Sequence, residues 1–150
     1  MSGFKHDMLD VAEVKRRVRL RIEALRHEAA HHRAQAGAAT AAYEPWLERV
    51  GIPLFRQFAG VLRAEGLLFR LVTPAGVARI EAERSADDYL ELVLDTARRP
   101  PAILLRSSYT RGSQVSTGER VVAEGIDYDH VSPAQVLDAL LEDATPFLGR

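Results

Sequence analysis

From Met8 to about Ala42 the chain contains no proline and a single glycine, Gly37. Apolar or small residues recur at Met8, Val11, Val18, Ile22, Leu25, Ala29, Ala36 and Ala39. With Lys15 and His32 in the gaps they complete a heptad a/d series. Arginine, glutamate and alanine, all favourable in helices, fill most other positions. Within an N-terminal segment 1–42, the pattern predicts one long amphipathic helix from Met8 to about Ala42, about 50 Å long at 1.5 Å per residue. Such a helix cannot bury its stripe alone, so the stripe is expected to meet its own domain or another chain.

The heptad is not that of a strong parallel zipper. Arg21 at g and Arg26 at the next e would face each other in a parallel homodimer, although Glu28 and Arg33 would pair. The alanines in the second half bury little area per residue. An antiparallel pair, or a helical hairpin with the following segment, fits the pattern equally well.

Tyr43-Glu-Pro-Trp46 reads as a break, because proline disfavours helix at the preceding residue. A second helix follows, interrupted near Gly51-Ile-Pro53, with Leu54, Phe55, Phe58, Val61 and Leu62 at helical spacing and Gly66 as a C′ residue. The texture then changes. Leu67–Val72, Val77–Glu83, Tyr89–Thr96, Ala102–Tyr109 and Arg120–Glu124 read as strands. Between them, 73–76 and Ser85-Ala-Asp-Asp88 read as turns, and Arg111–Gly118 as a flexible loop or distorted hairpin. With no helix between them, these strands imply an antiparallel meander. Ser132-Pro-Ala-Gln135 opens a last helix with a capping box, Val136, Leu137, Leu140 and Leu141 give it an apolar face, and Thr145-Pro146 closes it. The fold class is therefore α+β: a long N-terminal helix, a second broken helix, about five antiparallel strands and a C-terminal helix. Residues 43–150 form its α+β domain. The helix near Leu54–Leu62, the C-terminal helix, or both should cover one face of the sheet.

Composition narrows the function classes. The chain has 150 residues, enough for one core, and a net charge of −1, against coating nucleic acid or anionic membrane by bulk charge. It has no cysteine, hence no disulfide, thiolate metal site or cysteine nucleophile. No run approaches the roughly 18 apolar residues of a membrane span, and the first residues lack the apolar core of a secretory signal. A cytoplasmic location without a membrane partner is the expectation.

One motif bears on chemistry. His27-Glu-Ala-Ala-His31 resembles the H-E-x-x-H zinc-binding helix of metalloproteases. That resemblance implies two histidine ligands one turn apart, His27 and His31, with Glu28 as general base on a zinc-bound water. It covers five residues. The longer metzincin pattern is not met, since Ala34 stands at its glycine and Gly37 at its third histidine. His27 and His31 also point about 200° from the apolar stripe. They are read as solvated helix residues, and no metal or cofactor is expected.

Other clusters read as structural. Asp127-Tyr-Asp-His130 is a polar lead into the Ser132 cap rather than an acid–base pair. Ser107-Ser-Tyr109 lacks a glycine elbow. The Arg111–Gly118 stretch lacks phosphate-loop spacing. Lys15-Arg-Arg-Val-Arg-Leu-Arg21 is the strongest basic run and carries a nucleic-acid-binding alternative, but its charges encircle the helix instead of forming one stripe. The leading functional expectation is a non-catalytic scaffold or adaptor. It would form a homodimer or even homo-oligomer through Val11, Val18, Ile22, Leu25 and Ala29, and bind a further protein partner.

Overall fold

The computed structural model describes residues 8–149. In chain order they form α1 (Val11–Trp46), a π-helical turn (Leu47–Gly51), α2 (Ile52–Ala64), β1 (Phe69–Val72), β2 (Val77–Ala82), β3 (Ser85–Asp95), β4 (Ala102–Arg111), β5 (Gln114–Glu124) and α3 (Pro133–Leu148). The five strands make one antiparallel sheet in sequential order, the meander that the short inter-strand turns predict. Two compact units divide within α1, after Ala34.

In the first unit, the Asp10 carboxylate accepts the Ala12 N–H at 3.3 Å, capping the first turn of α1. Glu13, in that turn, reaches Arg16 at 2.7 Å and Arg17 at 3.0 Å. These arginines, Arg16 foremost, hold its carboxyl below the usual carboxylate range. Such exposed pairs favour local helix by small increments.

The second unit holds the core. Its layer of helices presents Ala39, Tyr43 and Trp46 of α1, Phe55, Phe58, Ala59 and Leu62 of α2, and Val136, Leu140, Ala144 and Phe147 of α3. All pack with one face of the sheet, including Ile80, Leu90, Leu92, Ile103 and Leu105. Both α2 and α3 therefore contribute to the cover. Full burial of each large aliphatic or aromatic side chain here contributes about 1.5–3 kcal/mol. Tyr43 donates its hydroxyl to the Gly76 and Leu92 carbonyls, and Trp46 donates its indole N–H to the Val131 carbonyl at 3.2 Å. Phe147 meets Phe69 and Tyr109 edge to face, with ring centres 5.1 and 5.2 Å away.

Several sequence-based boundaries move. The helix does not break at Tyr43–Trp46: α1 runs through Pro45. Pro45 and Ala41, four residues before it, both face solvent, so water can serve the carbonyl that the missing proline N–H leaves unbonded. The interruption instead lies at Leu47–Gly51, where the Ile52 N–H bonds the Leu47 carbonyl five residues back. Helix α2 follows the π-helical turn directly. Gly51 permits a close approach to β3, since a Cβ there would sit 3.0 Å from Leu92 Cδ2 and 2.8 Å from Leu47 Cδ1.

The Ser85–Asp88 turn is instead the start of β3, and the turn is Glu83-Arg84. Of the two readings of Arg111–Gly118, the hairpin holds and the flexible loop does not. Gly112, at φ 63°, takes the left-handed position of a two-residue turn with Ser113, and Gln114 begins β5. Nearly every β5 residue is exposed, so an edge strand mimics a loop in its polarity. At the last helix the Ser132 capping box forms as the sequence indicates, but the helix continues through Pro146 to Leu148. Gly66 does follow the α2 C-cap: the Leu67 N–H bonds the Leu62 carbonyl at 2.8 Å and the Gly66 N–H bonds that of Arg63.

Candidate interaction surfaces

The heptad series of α1 has two fates. Ala39, Tyr43 and Trp46, at d, a and d, are buried in the core. Towards the N-terminus the same series is exposed: Val18 is 52% and Leu25 54% accessible, with Val11 and Ile22 also exposed and Val14 exposed beside them at g. Ala29 is half-buried. Val11, Val14, Lys15, Val18, Arg19 and Ile22 together line a shallow groove along this face. A lone surface valine needs no explanation, but a row of them at heptad spacing is the pattern of a helix-packing surface.

His27, Glu28 and His31 are all exposed on the same helix, and His32 is half-buried. No group of three histidine, aspartate or glutamate side chains that could hold a metal is found among the described residues. A catalytic zinc site needs a third protein ligand, and the helix alone does not bring one to His27 and His31.

The Asp127–His130 segment is an anchor. Tyr128 is buried and donates to the Gly125 carbonyl at 2.7 Å, while burial pushes its hydroxyl up from the usual tyrosine value. Asp127 accepts the Asp129 N–H at 3.0 Å, and Asp129 reaches Arg49 of the π-turn at 3.2 Å. His130 stays exposed. Ser107 and Ser108 lie on opposite faces of β4, Ser108 buried, so the pair does not form a joint site.

The sheet face away from the helices carries charge in rows. Arg79, Glu91, Arg106 and Glu119 lie in register across β2 to β5. Arg79 contacts Glu91 at 3.2 Å and Glu81 at 3.1 Å, and its guanidinium stacks 3.7 Å over the Tyr89 ring. Arg70 adds a contact to Glu81 at 2.8 Å, and Arg106 meets Glu119 at 3.1 Å. Arg70 and then Arg79 hold the Glu81 carboxyl below the ordinary carboxylate range. One row further on, Val77, Val93, Leu104 and Val121 form an apolar strip on the same face. Leu104 within it is 0% exposed. Arg98 of the β3–β4 loop reaches Glu119 at 3.4 Å. The face thus pairs its row of charges internally, and its apolar strip is buried at Val93 and Leu104 while Val121 stays exposed.

Helix α3 supplies a third surface. Its charges are all acidic: Asp138, Glu142 and Asp143. Asp143 receives Arg120 of β5 in a two-pronged contact, the shortest at 2.9 Å, which raises the already high arginine pKa further. Asp138, Leu141, Glu142 and Thr145 line a shallow groove on the outside. Leu141 there is 44% exposed. Sequence reasoning placed Leu141 on the buried face and passed over the acidic pair. The signal was present as a four-residue spacing, Asp138 to Glu142, on a helix with no cation.

The chain matches no protein family, no curated protein and no solved structure among those compared.

Proposed function

We propose that the chain is a non-catalytic protein-interaction module, a scaffold or adaptor, that assembles as a homodimer or even homo-oligomer through Val11, Val18, Ile22, Leu25 and Ala29. The observation that supports this reading is the exposed half of the α1 heptad series, continuous in sequence with a half that is core. Covering a half-exposed valine, leucine or isoleucine recovers on the order of 1 kcal/mol. A closed dimer covers both copies of the stripe, a total comparable with the ~4–15 kcal/mol cost of joining two molecules. Assembly through this surface is therefore concentration-dependent.

Native mass spectrometry of the untagged protein tests this, with zinc offered and the excess removed. An even oligomer carrying no retained metal is expected, and Leu25→Glu should yield the monomer. A wild-type monomer at every concentration overturns the reading, as does a Leu25→Glu variant of wild-type mass. A monomer retaining one zinc would move the function to His27, Glu28 and His31.

A further inference from the structure

We infer that the surface met by the α1 stripe is the outer face of α3 in a second copy of the chain. This rests on the assembly proposed above and names its counter-surface. From Val11 to Ala34, α1 carries seven cations and three anions. Those beside the stripe at a, e and g are Lys15, Arg19, Arg21, Arg26 and Arg33, against Glu28. A stripe laid on its own copy brings Arg21 towards Arg26 in the parallel sense, and Arg19 towards Arg19 or Arg26 in the antiparallel sense. Such contacts oppose self-pairing.

The outer face of α3 has the complementary chemistry. Asp138 and Glu142 flank the exposed Leu141 on a helix without a basic residue. Thr145 donates its hydroxyl to the Leu141 carbonyl at 2.9 Å, which satisfies the polar atom and leaves the methyl for contact. Lys15 and Arg19 are four residues apart, and so are Asp138 and Glu142. On both helices that step is about 6 Å. Two cations therefore meet two carboxylates in register, in either relative direction, with Val18 beside one pair and Leu141 beside the other. Each copy supplies one stripe and one acidic face, so two copies exchanging both contacts close a dimer.

The test uses two full-length variants altered only at exposed positions. Lys15→Glu with Arg19→Glu makes the stripe acidic, and Asp138→Lys with Glu142→Lys makes the α3 face basic. Light scattering after size exclusion reads the mass, and circular dichroism checks that each variant is folded. Each variant alone should associate on the order of tenfold more weakly or worse than the wild type. An equimolar mixture should regain the wild-type mass, because in the mixed dimer both contacts again join opposite charges. Added salt should weaken the wild-type assembly. If the Asp138→Lys, Glu142→Lys variant assembles as the wild type does, or the mixture stays monomeric, the counter-surface is wrong while assembly through α1 stands. A wild type that never assembles overturns both.

Discussion

Tyr43 of α1 donates its hydroxyl to the backbone carbonyl of Leu92 at 3.1 Å, across 49 residues of sequence. The same proton is shared with the Gly76 carbonyl at 3.0 Å, so one phenol ties α1 to the β1–β2 turn and to β3. Burial, reinforced by the charge of Glu91, pushes this hydroxyl far above the usual tyrosine value. Tyr43→Phe should cost about 1–2 kcal/mol in urea unfolding at neutral pH. Because the folded pKa is raised, stability is undiminished below about pH 10 and falls as the unfolded phenol ionises above it. The variant should therefore show a shallower alkaline decline. An alkaline limb identical to that of the parent would refute this.

Glu81 behaves in the opposite sense. Its carboxyl is held down by Arg70 and then Arg79. Its contribution is present in full above about pH 4.3 and is lost as the pH falls through the lowered folded value. Glu81→Gln should melt below the parent at pH 7, and the two should converge on acidification. Melting curves followed by circular dichroism between neutral and acidic pH decide it; a constant gap would mean that the loss is packing, not charge.

The α3 cap offers a smaller, cleaner test. Ser132 Oγ accepts the Gln135 N–H at 3.3 Å, while Gln135 Oε1 takes the Ser132 N–H at 2.8 Å. Ser132→Ala removes the first bond and keeps the second. A loss of about 1 kcal/mol is expected, or about 2–4 °C in Tm. Unchanged melting would show that water replaces the hydroxyl without penalty.

Trp46 is the sole tryptophan and is 1% exposed. Its emission should be blue-shifted and resistant to iodide quenching, and should report on the unit that begins at Gln35. Leu25→Glu lies in the other unit and should leave the emission unchanged while altering the mass. A red shift in that variant would show that the exposed stripe supports the core as well as assembly.

Much of the architecture is legible because local signals and tertiary demands agree. The Ser132 box, the Gly66 cap and the alternation of Leu90, Leu92 and Leu94 each name an element without knowledge of its neighbours. The failures share a cause: the deciding contact lies outside the local window. Pro45 looks like a breaker until its solvent-facing position on α1 is known. Gln114–Gly118 can pass for a loop because this edge strand lacks the apolar alternation by which strands are recognised. For the candidate surfaces, the heptad exposes the α1 stripe in sequence, since periodicity survives without context. The acidic α3 face was hidden because Leu141 sits beside Leu140, and one helix position decides which of two adjacent leucines enters the core.

The sequential order of the strands has a consequence for how the molecule is made. Every strand pairs with its immediate predecessor, so the sheet can grow by one hairpin at a time as the chain emerges, with little loop-closure entropy at any step. Helix α3 comes after all of them and brings Phe147 against Phe69 of β1. Until then the edge-to-face contacts of Phe147 with Phe69 and Tyr109 are missing. The contact that ties β1 to α3 is therefore one that the order of synthesis places after every strand pairing.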